Sequence, residues 1–118
     1  MGAESFMTIQ LSTGTSDDAY QLAVTSAITE YGINPYNGTI STTDGYQIID
    51  EPRPKYGSKD FFRWVYDTID NKCEKWGKAG CIELTPAELK HARSEYRWRH
   101  LKGKHNVGGW YFFGIASI

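Results

Sequence analysis

The last nine residues, Trp110 to Ile118 (WYFFGIASI), restrict the fold more than any other stretch of the chain. Large aromatics occupy consecutive positions, and in a strand consecutive side chains point to opposite faces. Such a strand is apolar on both faces, and at a sheet edge it would leave an adhesive, unpaired ladder. The run therefore predicts a central strand, paired on both sides, beside Met7-Ile9-Leu11 or the apolar stretch Ala79 to Leu84. Gly114 is expected to let a neighbour approach closely.

The rest of the pattern supplies those neighbours. Met7, Ile9 and Leu11 alternate with Phe6, Thr8 and Gln10 at the period of a strand. Ser16 is placed to cap a helix from Asp17 to Tyr31, on which Tyr20, Ala23, Val24, Ala27 and Ile28 keep helical spacing and which Gly32 stops. Thr39 to Thr43 and Tyr46 to Ile49 read as two strands joined at Asp44-Gly45, a pair that tolerates the positive φ of a hairpin turn. Glu51-Pro52-Arg53-Pro54-Lys55 breaks regular structure. Ser58 caps a second helix that runs to Gly77, with Phe62, Val65, Tyr66, Ile69, Cys73 and Trp76 as its apolar stripe, widened by Phe61 and Trp64. Trp76 and Trp110 are expected in the core, Trp64 and Trp98 partly exposed. Ala79 to Leu84 is a buried strand, and Thr85, Pro86 and Glu88 open a third helix through a capping box.

The predicted order is β-α-β-β-α-β-α-β. It reads as an α+β two-layer sandwich: a ferredoxin-like β-α-β-β-α-β core with an added helix and a C-terminal strand, and helices over one sheet face. At 118 residues, with 40% hydrophobic and 14% aromatic content, residues 1–118 are expected to form a single domain that needs no disulfide staples. No apolar run has the length of a membrane span, and the first residues lack the pattern of a signal peptide. A cytoplasmic setting is the expectation, with Cys73 and Cys81 as buried thiols.

Charge supplies the functional lead. The net charge of −1 hides an asymmetry: Met1 to Pro52 carries seven acids and no base, and Arg53 to Ile118 carries 13 bases and seven acids. The positive charge gathers between Thr85 and His105, where Lys90, Arg93, Arg97, Arg99, Lys102 and Lys104 are opposed only by Glu88 and Glu95. Arg97-Trp98-Arg99 sets an aromatic between two guanidinium groups, a combination that clamps phosphate and stacks on bases. The expected partner is nucleic acid, or a protein that handles nucleic acid, bound by Lys90, Arg93, Arg97, Trp98, Arg99, Lys102 and Lys104. The plain alternative is a solvated charged face with helix ion pairs.

Two other function classes remain open at this point. The acidic N-terminal half, through Glu4, Asp17, Asp18, Glu30, Asp50 and Glu51, could form a surface by which a binding protein inhibits its partner. A metal- or thiol-dependent enzyme would draw on Cys73, Cys81, His91, His100 and His105. The spacing of these five is poor for zinc, since no Cys-x2-Cys occurs and His100 and His105 straddle Gly103. No nucleophile-elbow, zincin or phosphate-loop motif occurs. No catalytic residue, metal ligand or cofactor is assigned, and a binding protein is the expectation.

The blocks YGINPYNGTISTTDGY (Tyr31 to Tyr46), KWGKAGCIEL and GWYFFGIAS (Gly109 to Ser117) resemble segments of small uncharacterised accessory proteins of bacteriophages and mobile elements. The resemblance covers about half the chain and rests on turns, glycines and buried aromatics. It implies a small accessory protein in a bacterial host cytoplasm, and it carries over no functional residue.

Overall fold

A computed structural model describes residues 2–34, 36–95 and 108–118, with the backbone alone at 93–95. Its elements are β1 (Ala3–Ser12), α1 (Ser16–Tyr31), β2 (Tyr46–Ile48), α2 (Lys59–Lys72), β3 (Ala79–Leu84), α3 (Pro86–Glu95) and β4 (Gly108–Ser117), with one 3-10 turn at Ile40–Thr42. The strands form a single mixed sheet in the order β1-β4-β3-β2. β4 runs antiparallel to both neighbours, pairing Phe112 with Thr8 on one side and with Cys81 on the other. The strand with aromatics on both faces is thus central, as its composition requires. Gly80 lies opposite Phe113, where an added Cβ would come within 2.4 Å of the ring.

The pleat divides the core in two. Ile9, Ile82, Tyr111 and Phe113 face α2 and α3, where they pack with Phe61, Val65, Ile69 and Ala92. Cys81 and Phe112 face the other way, onto Ala19, Tyr20, Ala23 and Ala27 of α1 and onto Ile40. Phe112 meets the rings of Tyr20 and Tyr46 edge-on. The chain is therefore an α+β domain of four strands and three helices among the described residues, with helices on both faces of the sheet and not on one.

The ferredoxin-like order is not confirmed, because the hairpin at Asp44-Gly45 does not form. From Thr39 to Thr43 the hydroxyls bond nearby backbone: Thr39 Oγ1 accepts from the Ser41 amide, Thr42 donates to the Thr39 carbonyl and Thr43 to the Ile40 carbonyl. Such local bonds compete with a ladder, and the segment closes into the 3-10 turn. Gly45 does adopt a positive φ, of 83°, but it leads β2 alongside β3 instead of back on the preceding segment. β2 and β3 are parallel, as a helical crossover through α2 permits.

Helix boundaries also differ from expectation. Thr15, not Ser16, caps α1, in a reciprocal capping box with Asp18. α2 ends at Lys72, with Cys73 as its C-cap. Its buried line is Phe61, Val65, Thr68 and Ile69, which leaves Phe62 and Tyr66 exposed. Trp76 sits beyond the helix at φ 65° and is 45% exposed, its ring against Tyr36. No helix among the described residues is long and apolar enough to cross a membrane.

Candidate nucleic-acid interface

The capping box read from Thr85 and Glu88 is present: the Thr85 amide donates to Glu88 Oε1 at 2.9 Å, and the Glu88 amide to Thr85 Oγ1 at 3.2 Å. Glu88 has a second task. It takes Arg53 Nε at 3.0 Å and Nη2 at 2.5 Å in a two-pronged ion pair, while Nη2 also donates to the Glu83 carbonyl. Burial pushes the Glu88 carboxyl up, but the bonds from Arg53 and Thr85 together outweigh it and hold the group below its usual value. The acid that sequence reasoning set against the basic helix is thus consumed in anchoring it.

A second contact fixes the same junction. His91 packs edge-on against the Tyr56 ring at 5.4 Å, close enough to Gly57 that a Cβ there would lie 2.7 Å from Nε2. The first turns of α3, with exposed Lys90, therefore lie against the turn that leads from Lys55 to Lys59. A depression of about 360 Å³ opens between them, lined by Pro54, Lys55, Tyr56 and Thr85 among others.

This junction recruits bases that the sequence reading passed over. Lys55, Lys59 and Arg63 are exposed, as are Phe62 and Tyr66. At 3.6 residues per turn, Lys59, Phe62, Arg63 and Tyr66 share an arc of about 100° on α2. Asp60 and Asp67 border that arc on the Trp64 side, and Asp70 lies within it, about 6 Å along the helix beyond Tyr66. Cationic character is therefore concentrated at the start of α2, where α3 meets it. Among the described residues only two ion pairs form, Arg53–Glu88 and Lys72–Glu51, so Lys55, Lys59, Arg63 and Lys90 make no close ion pair with a described carboxylate. A spacing of four between Lys55, Lys59 and Arg63 was the available signal.

Of the residues expected to bind, Lys90 is exposed on α3 and Arg93 lies on the same helix. Arg97, Trp98, Arg99, Lys102 and Lys104 lie outside the described residues, as do His100 and His105.

The acids of the N-terminal half are spread over several elements. Asp17 and Asp18 open α1 and Glu30 nearly closes it, about 20 Å away along the axis. Glu51 is held by Trp64 Nε1 and Lys72 Nζ, each at 3.1 Å. Asp17 accepts from the Tyr46 hydroxyl, which also lies 2.7 Å from Ser16 Oγ. Burial and then the Asp17 bond push that phenol up, so it remains a proton donor.

Cys73 and Cys81 are free, buried thiols on opposite sides of the sheet. Burial pushes Cys81 up to about 12 and raises Cys73 as well. Both are held as thiols at neutral pH, and both pack within the core. No group of three metal-binding side chains occurs among the described residues. No family model matches the chain, and no curated protein or solved structure matches it.

Proposed function

We propose that the chain is a small binding protein, without catalytic chemistry of its own, that engages nucleic acid through a composite basic surface. One face of it is the start of α2, with Lys55, Lys59 and Arg63. The other begins at Lys90 and Arg93 on α3 and continues into the basic stretch that holds Arg97, Arg99, Lys102 and Lys104. Exposed Phe62 and Tyr66, with Trp98 of the basic stretch, supply ring faces for stacking. The setting proposed with this role is that of a phage-like accessory protein in a bacterial cytoplasm.

The observation that carries the reading is the junction at Arg53–Glu88 and Tyr56–His91. It joins two basic segments remote in sequence and uses up the carboxylate that would offset them. Phosphate contacts of this kind release counterions, so affinity falls with salt at a slope of about −0.7 to −0.9 per phosphate neutralised. Binding of a labelled single-stranded oligonucleotide and of a duplex, measured across a salt series, tests it. The triple variant Lys55→Gln, Lys59→Gln, Arg63→Gln is expected to lower the slope by about 2 while leaving the thermal midpoint unchanged. A flat salt response would remove nucleic acid as the ligand and leave an acidic protein that handles nucleic acid as the partner. An unchanged slope in the triple variant would remove α2 from the surface.

A further inference from the structure

The long strand β1 is an edge, and the geometry points to it as the docking rail for an extended, lysine- or arginine-bearing segment of another protein, added as a fifth strand. All ten residues of β1 pair with β4, and among the described residues no strand pairs with its other side. The exchange of bonds between Gly2 and Ile118, Gly2 N to Ile118 O at 3.1 Å and Ile118 N to Gly2 O at 3.2 Å, sets the phase of the ladder. In an antiparallel pair such bonded pairs recur at every second residue. Glu4, Phe6, Thr8 and Gln10 therefore bond to β4, while the amides and carbonyls of Ala3, Ser5, Met7 and Ile9 point to the open side. Gln10 agrees with that phase, since its side chain donates to the Leu11 carbonyl at 3.0 Å in place of a ladder partner. The strand (AESFMTIQLS) carries no proline, no lysine and no bulge, the usual devices that blunt an edge.

Beside this rail runs a groove of about 280 Å³ between β1, α1 and the turn at Gly38–Ile40. It takes in Met7 as well as Phe6 and Thr8, so it reaches the strand backbone. Its lining is mixed, with Phe6, Ala27 and Ile40 beside Thr8, Ser26 and Thr39, and its rim carries Glu30 and the exposed ring of Tyr31. Glu4 lies on the same strand face as Phe6 and Thr8, and its Oε2 would be 3.8 Å from a Cβ at Gly38. No base lines the groove, and none occurs anywhere before Arg53. Neither Glu4 nor Glu30 enters an ion pair with a described residue. Strand addition draws affinity from main-chain bonds and specificity from pockets that receive alternate side chains. Here the alternate positions would meet a mixed lining and two carboxylates, which selects a strand with basic residues on one face.

The test uses two ten-residue peptides, one alternating threonine with lysine and the other with glutamate at every lysine. With the lysine peptide, amide exchange at Ser5, Met7 and Ile9 is expected to slow and their NMR signals to shift. The glutamate peptide should bind at least about fivefold more weakly, as should the lysine peptide to the variant Glu4→Gln, Glu30→Gln. Ser5→Pro removes one outward amide and no β1–β4 bond, so it should weaken binding with the thermal midpoint retained. A lysine peptide N-methylated at alternate residues makes the same test without altering the protein. Equal binding of the two peptides, or shifts that spare those three amides, would overturn the proposal. So would a dimer in which the same amides are protected without peptide, since the edge would then belong to a second copy.

Discussion

Removing Arg53 should both destabilise the domain and loosen the basic surface, and the first effect has a calculable size. Arg53 makes two bonds to Glu88 and one to the Glu83 carbonyl, and the paired side chains are only 19% and 14% exposed. An exposed pair contributes about 0–1 kcal/mol, and cutting one partner from a buried pair costs about 3–5 kcal/mol. Exposure this low, but not zero, puts Arg53→Met at about 2 kcal/mol, or roughly 8 °C in a domain of this length. The pH dependence is signed. Glu88 titrates below its usual value in the folded protein, so its contribution is complete above the unfolded value and is lost as pH falls through the folded one. Urea unfolding followed by tryptophan fluorescence should therefore show the full gap between wild type and Arg53→Met at neutral pH. The gap should close as pH drops below the ordinary carboxylate range. A neutral-pH gap under about 0.5 kcal/mol, or one that persists in acid, would refute the anchoring role.

Three further outcomes are expected. Deleting 112–118 removes Phe112, Phe113 and Ile115 from two cores and costs roughly 4–9 kcal/mol before the lost ladder, comparable to the stability of a whole domain; a soluble truncation with native near-ultraviolet circular dichroism would contradict the central placement of β4. Cys73 and Cys81 should resist alkylation in the native protein at mildly alkaline pH and react once urea is added, whereas native-state labelling of Cys81 would contradict its packing against Phe112 and α1. Trp76→Gly relieves a left-handed backbone in a bulky residue, worth about 1 kcal/mol, and offsets the lost contact with Tyr36, so the thermal midpoint should hold or rise; a fall of several degrees would show that the ring packs harder than its exposure implies.

Local chemistry and periodicity were enough to reveal most of the elements. The run Trp110 to Phe113 dictates a strand covered on both faces, because adjacent strand residues always point apart, and β4 is that strand. Thr85 and Glu88 state the start of α3 because a capping box is closed within four residues. What the sequence could not state depends on partners remote in the chain. Thr39 to Thr43 has strand-like residues, yet its hydroxyls found nearer acceptors and no neighbouring strand outbid them. The stripe of α2 holds at Val65, Ile69 and Cys73 but not at Phe62 and Tyr66: Phe61 and Phe62 are equally apolar, and packing on Tyr56 and Tyr111 buries Phe61. Glu88 read as a counter-charge to the basic helix, and only the tertiary approach of Arg53 shows that it is already spent. The basic surface itself is divided in the same way: Thr85 to His105 announces half of it by composition, while Lys55, Lys59 and Arg63 join it because Tyr56 and His91 meet across 35 residues of chain.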